Sequence, residues 1–286
     1  MKIRFLNRAY RSARGLVVGT GKAKALRAAQ VELDRLAAIR DPAAERLVRA
    51  LRHARSGELA EGRSIIEAIE RKREELLRRT DPLVSRSDVE PGKFDLGRTV
   101  AGVCAKSKPR AQATLLHLLI REFKPVSALE LGTNIGISAA YQAAALEMNG
   151  RGHLTTLEVS AFRAELAKEL HRSLGLGNVS YTVGLFADTL SGVLANSAPV
   201  DYAFLDGQHK MQPTLDYFEQ IYGHASDAAL VVVDDIRWSS GMAQAWAQLA
   251  DDPRVAFAID CWSLGLCVTT RSPFAEHRDK SFLIPV

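Results

Sequence analysis

The stretch Val126-Ser127-Ala128-Leu129-Glu130-Leu131-Gly132-Thr133-Asn134-Ile135-Gly136-Ile137-Ser138 decides the fold. Val126–Leu131 is a short apolar run that reads as a buried strand, and Ser138–Met148 reads as the helix after it. A strand that runs through a glycine-bearing turn straight into a helix opens an α/β unit. Downstream the alternation repeats. His153–Leu157 is the next strand and Ala161–Leu174 the next helix. Val179–Val183, Tyr202–Leu205 and Leu230–Val233 follow as strands, with helices near Thr214–Tyr222 and Met242–Leu249. This pattern predicts a mostly parallel sheet covered on both faces. Val255–Ile259 and Leu264–Thr269 lie too close for a helical crossover, so they are expected to pair antiparallel. In such sheets ligands bind outside the C-terminal strand ends.

Upstream of the sheet the chain changes character. From Lys22 to Arg79 it is rich in Ala, Leu, Arg and Glu, all good helix formers. Leu26, Ala29, Leu33, Leu36 and Ala37 share one helical face. Asp41-Pro42 supplies an N-cap and first-turn proline for a second helix, and Ser56-Gly57 breaks it. A third helix carries Ile65, Ile66, Ile69, Leu76 and Leu77 and ends by Asp81-Pro82. Residues 82–110 are rich in Pro and Gly, and a further helix covers Arg110–Phe123. The expected organisation is a basic helical appendage over 1–85, apolar-faced and suited to homodimer formation, followed by an α/β domain over 86–286. Segment 86–108 should serve as a lid.

Charge is split along the chain. Residues 1–80 hold 20 Lys+Arg against 10 Asp+Glu, whereas residues 81–286 hold 18 against 23. The basic excess could meet nucleic acid, an anionic membrane or an acidic partner, but its arginines are interspersed with Glu and Ala, as on solvated helix faces. No run approaches the roughly 18 apolar residues of a membrane span. The arginines at 4, 8, 11 and 14 precede no apolar core of a signal peptide. Cys104, Cys261 and Cys267 are odd in number and lack metal-ligand spacing, so they are expected as reduced thiols of a cytoplasmic protein.

Gly132 and Gly136 allow a tight turn and close approach of a ligand to backbone. A dinucleotide fingerprint starting at Gly132 needs glycines where Asn134 and Ile137 stand. Glu130, just before the turn, would repel a pyrophosphate but suits a ligand bearing an ammonium or a sulfonium, and S-adenosylmethionine carries both. The second strand ends on Glu158, placed to accept hydrogen bonds from both ribose hydroxyls of an adenosine. Strand four ends in Asp206-Gly207-Gln208-His209 and strand five in Asp234-Asp235. If these strands are neighbours, three carboxylates converge, and Asp206, Asp234 and Asp235 suit a hard divalent cation, Mg²⁺ or else Ca²⁺ or Mn²⁺. The alternative is that Asp206 caps a helix while Asp234 or Asp235 holds a turn.

Together, Glu130–Ser138, Glu158, Asp206-Gly207-Gln208-His209 and Asp234-Asp235 resemble the motif series of class I S-adenosylmethionine-dependent methyltransferases. They are most similar to the DGxH group related to catechol O-methyltransferase, over roughly residues 93–286. The resemblance implies a Rossmann-like seven-stranded sheet in the order 3-2-1-4-5-7-6 with strand 7 antiparallel. It implies that the turn from Glu130 through Gly132, Thr133, Asn134, Gly136 and Ser138, together with Asp206, binds the cofactor, with Gly132 and Gly136 lining its methionine part. Glu158 would hold the ribose and Leu185-Phe186 would flank the adenine. Asp206, Asp234 and Asp235 fall on metal positions, the last being Asn in catechol O-methyltransferase. That enzyme has a lysine base at the position of His209, so His209 and adjacent Lys210 are both candidate bases. Gln208 stands where related sugar and macrolide enzymes have an acidic residue.

The function expected is metal-assisted O-methylation of a small-molecule hydroxyl on a natural product, sugar or phenolic compound. His209 takes the proton, and Trp238 and Trp262 form a substrate wall unless they belong to the core. Competing readings are a metal-independent N-, S- or C-methyltransferase, a nucleic-acid methyltransferase and a non-catalytic cofactor-binding module. Nucleic acid is disfavoured because no Asn-Pro-Pro-Tyr-like base-flipping signature follows strand four.

Overall fold

The computed structural model describes residues 20–57, 61–83, 95–197, 199–272 and 280–286. The arginines at 4, 8, 11 and 14 and the 86–94 part of the expected lid lie outside them. Among the described residues the chain opens with the helices α1 (Thr20–Ala37), α2 (Pro42–Ser56), α3 (Arg63–Leu77) and the short α4 (Val100–Cys104). Asp41 caps α2 as its sequence requires, its carboxylate accepting from the amides of Ala43 and Ala44 at 2.7 and 3.2 Å. Helix α5 (Arg110–Phe123) leads into β1 (Ser127–Leu131), α6 (Ile137–Met148), β2 (His153–Glu158), α7 (Ala161–Ser173) and β3 (Val179–Val183). Then come α8 (Phe186–Ser197), β4 (Val200–Leu205), α9 (Met211–His224), β5 (Ala225–Val233), α10 (Ser240–Asp251), β6 (Val255–Asp260), β7 (Gly265–Thr269) and β8 (Ser281–Leu283).

The sheet has eight strands in the order β3-β2-β1-β4-β5-β7-β6-β8. Its first seven positions match the expected order, and β7 runs antiparallel to both β5 and β6. The expected count of seven is corrected by β8, which pairs parallel with β6 at the edge. A three-residue strand has no periodicity to read. Helix α8 also escaped the sequence reading, because Thr189, Ser191 and Gly192 are weak helix formers. Parallel pairing on either side of it nevertheless demands such a crossover.

Alternate residues of the central strands feed two different cores, as a period of two requires. Tyr202, Phe204, Leu230 and Val232 pack on one face with Leu33, Leu36, Leu47, Leu51, Leu115 and Leu119. Ala203, Leu205, Val231 and Val233 pack on the other with Leu190, Phe218 and Trp246. The N-terminal helices expected as an appendage therefore cover one face of the sheet. Much of their apolar surface, including Leu33, Leu36, Leu47, Val48 and Leu51, is buried within the chain, while Leu26, Ala37 and Leu77 of the expected stripes are exposed. Helix α3 joins a third cluster, in which Ile66 and Ile69 meet Val100, Val103, Ile137 and Tyr141. No helix among the described residues is long and apolar enough to cross a membrane.

Candidate active site

Strand register builds the site. Leu131 pairs with Leu205, and Leu205 with Val233. The next residue on each strand is Gly132, Asp206 and Asp234, so these three form a row across the C-terminal ends of β1, β4 and β5. The ladder continues one step past the pairs: the Asp206 amide donates to Leu131 O at 2.8 Å and the Asp234 amide to Leu205 O at 3.0 Å. The order also reverses between β1 and β4, the place where open α/β sheets leave a crevice.

Gly132 has φ 106°, and a Cβ there would stand 2.1 Å from the Asp206 carbonyl oxygen. At Gly136, φ 85°, a Cβ would meet Ala167 Cβ at 2.7 Å. The turn thus packs against the backbone at the end of β4 and against α7 only because these two positions lack side chains. Beneath the turn Glu130 is fully buried and accepts from Ser138 Oγ at 2.7 Å, Gln142 Nε2 at 2.6 Å and Thr156 Oγ1 at 2.6 Å. Burial pushes its carboxyl up to about 7 against those three hydrogen bonds. Thr133 joins the same network through Thr156 at 2.6 Å. Glu130, Thr133 and Ser138 therefore brace the turn from below.

Glu158 lies at the end of β2. It accepts from the Asn134 amide at 2.7 Å and the Ser160 amide at 3.0 Å. Burial raises its carboxyl, and these amides and Arg163 oppose the rise. Asp95, unremarked in the sequence, closes over this corner by bonding Ser160 Oγ and taking Arg163 Nε at 2.8 Å. Asn134 Nδ2 holds Val103 O at 3.1 Å, tying α4 to the turn. Nearby, Leu185 is exposed, while Phe186 is buried edge-on to Tyr217 at 5.9 Å between centroids.

Asp206, His209 and Asp234 offer ligand atoms within 4.8 Å of one another. Asp235, expected as the third ligand, stands outside that trio, with Oδ2 3.9 Å from His209 Nε2. His209 Nε2 is 3.6 Å from Asp206 Oδ1. Lys210 is exposed and occupies the N-cap position of α9. Among the two candidate bases, His209 is the one beside the carboxylates. Five residues around the site hold positive φ: Asn134, Gln208, His209, Asp235 and Trp262. Such clustering of strained backbone is characteristic of functional sites.

The residue that sequence reasoning missed is Lys108. Only 9% exposed, its ammonium contacts the Asp234 carboxylate and lies 3.6 Å from Asp206 Oδ1. Burial alone would lower its pKa, but Asp206, Asp234 and Asp235 together outweigh burial and hold the ammonium charged. Burial, then the Asp206 charge, raises the Asp234 carboxyl in turn. A lone lysine before Pro109 carries no signal in the sequence, since its partners lie 126 positions away.

Trp238 is 73% exposed with its ring 6.5 Å from that of His209, and Trp262 is half-buried. Arg237 stacks over the Trp262 ring at 4.8 Å, and its guanidinium forks onto both oxygens of Asp260. Gln112 Nε2 donates to Ser263 Oγ at 2.7 Å, so α5 is tied to the same β6–β7 turn.

Residues 129–236 match the family model described as Methyltransferase domain. A catechol O-methyltransferase of Niastella koreensis is 32% identical over 138 residues, which is 48% of this chain and 61% of that protein. The chain therefore matches less than two thirds of this relative's length. Among solved structures, the O-methyltransferase TomG of Streptomyces achromogenes, involved in tomaymycin synthesis and in complex with SAM, is 25% identical. It superposes with a TM-score of 0.51 over 66% of this chain and 92% of its own. An O-methyltransferase of Bacillus cereus in complex with SAH shares the fold, with a TM-score of 0.51 and 21% identity over 75% of this chain and 94% of that one.

Proposed function

We propose that this chain, whose residues 129–236 match the family model described as Methyltransferase domain, transfers the methyl group of S-adenosylmethionine to a hydroxyl of a small molecule. The observation that carries this reading is the row of Gly132, Asp206 and Asp234 at adjoining strand ends, with His209 beside it. The residues fit the cofactor. Gly132 and Gly136 let the turn bend at positive φ where a Cβ would strike Asp206 O or Ala167 Cβ, and Glu158 retains lone pairs beyond those used by its two amide donors, enough for ribose hydroxyls. Leu185 and Phe186 would flank the adenine. When bound, S-adenosylmethionine supplies an electrophilic methyl on a sulfonium.

The chain's own residues then do three things. Trp238 and Trp262 orient the acceptor, the latter held by the Arg237–Asp260 fork. His209 Nε2 takes the hydroxyl proton as the oxygen lone pair forms the new O–CH₃ bond and the C–S bond breaks, leaving a neutral thioether. The Asp206 and Asp235 carboxylates, at 3.6 and 3.9 Å, stabilise the imidazolium. Holding acceptor and methyl in register supplies much of the rate.

The donor set also fits a divalent cation, preferably Mg²⁺, because Asp234 Oδ1 is buried without a hydrogen-bond partner among the described residues. Asp206 and Asp234 would hold it with Asp235 alongside, and it would supply a Lewis acid that lowers the pKa of the acceptor hydroxyl. A second reading, metal-independent transfer, is favoured by the Lys108 ammonium seated among these carboxylates. The test is methyl transfer from labelled S-adenosylmethionine to catechol, other phenols and sugars, with and without chelator. Transfer that stops with chelator and returns with Mg²⁺ supports the first reading. Full turnover in chelator supports the second, and no transfer to any hydroxyl refutes both.

A further inference from the structure

Lys108 stands where a cation bound by Asp206 and Asp234 would stand. Its ammonium contacts Asp234 and lies 3.6 Å from Asp206 Oδ1. Asp234 is fully buried, and its Oδ1 has no hydrogen-bond partner among the described residues. The lysine thus engages one oxygen of the Asp234 carboxylate and leaves the other without a partner among the described residues. Lys108 is not a stray surface group. It closes the segment that follows α4, and Pro109 behind it restricts its backbone. Asn134 holds Val103 of that segment from the glycine turn, and Gln112 holds the following helix to Ser263.

We infer that Lys108 is a tethered counter-ion that competes with a divalent metal ion for the strand-end carboxylates, so that metal loading requires the ammonium to leave. This rests on the metal-assisted form of the proposed function. The physical reason is that like charges facing one another across the row are costly and a cation relieves them. An ammonium and a divalent ion cannot share the same two carboxylates at contact distance. Lysine is suited to the part: its flexible four-carbon stem lets a point charge withdraw. The consequence is that metal affinity and the position of the segment behind α4 are one equilibrium, with the metal-free form neutralised from within.

The test is binding of Mn²⁺ alone to the purified full chain, followed by titration calorimetry and by the electron paramagnetic resonance of free Mn²⁺. Lys108→Met, with Lys108→Gln as a second variant should the first fail to fold, is expected to lower the Kd about tenfold or more, since no paired ammonium has to be expelled. Asp234→Asn should weaken Mn²⁺ binding in either background, which assigns the ion to this site. Equal Kd values for wild type and both Lys108 variants overturn the competition while leaving a metal site in place. Absence of Mn²⁺ binding to every variant overturns the competition and the metal-assisted reading together. Methyl transfer itself is then judged by the chelator experiment.

Discussion

Glu130→Gln should change how stability depends on pH. Glu130 is fully buried, and its carboxyl is raised from 4.5 to about 7, so the native state keeps a proton that the unfolded chain has released. Its contribution is complete below pH 4.5 and is lost as pH rises through about 7, a fall of about 3 kcal/mol at 1.36 kcal/mol per unit. Two histidines act with the opposite sign. His117 and His171 are buried and lowered from 6.5 to about 4, so each withholds stability as pH drops from 6.5 toward 4. Each loss is again about 3 kcal/mol. In the wild type these slopes overlap, and the Glu130 effect is masked except just above pH 6.5. The difference between wild type and variant removes the histidines from view. Urea unfolding of both proteins from pH 4.5 to 7.5 should show the wild type losing about 3 kcal/mol relative to Glu130→Gln across the range. The amide stays neutral and can still accept hydrogen bonds beneath the turn. A difference constant to within about 0.5 kcal/mol would refute a raised Glu130 and the buried network that raises it.

Three further outcomes follow from the same geometry. Gly132→Ala places a Cβ 2.1 Å from a backbone oxygen at a positive φ, with backbone on both sides unable to yield; a loss of about 3 kcal/mol or more in urea is expected, and a loss under about 1 would contradict the close strand-end approach. His209→Ala should lower kcat by about 10²–10⁴-fold with the fold intact, while Lys210→Ala leaves it nearly unchanged; the reverse ranking would move the base. Arg237→Met removes the fork on Asp260 and the stack on Trp262, so KM for the acceptor should rise with kcat retained.

Much of this was legible without coordinates. The alternation after Pro125 specified a parallel sheet, the Asp41-Pro42 and Ser56-Gly57 pairs bounded a helix, and the glycine turn marked where β1 hands over to α6. Local physics governs each of these: periodicity, capping, and a backbone that needs no Cβ. Helix α8 and strand β8 were not legible, because one is poor in helix formers and the other has three residues. The burial of Glu130 and its three side-chain donors were not legible either, since a residue adjoining a turn can face either side of the sheet.

The sequence by itself determined the alternation of strands and helices and the residue types at each strand end, because hydrophobic period and turn chemistry are properties of neighbours along the chain. Only the tertiary structure decided what fills the space between those ends. Register set Gly132, Asp206 and Asp234 in one row, the segment between α4 and α5 brought Lys108 onto Asp234 from 126 positions away, and Trp238 came to lie 6.5 Å from the His209 ring. Charge neutralisation in a buried site depends on distance in space, which separation along the chain does not encode.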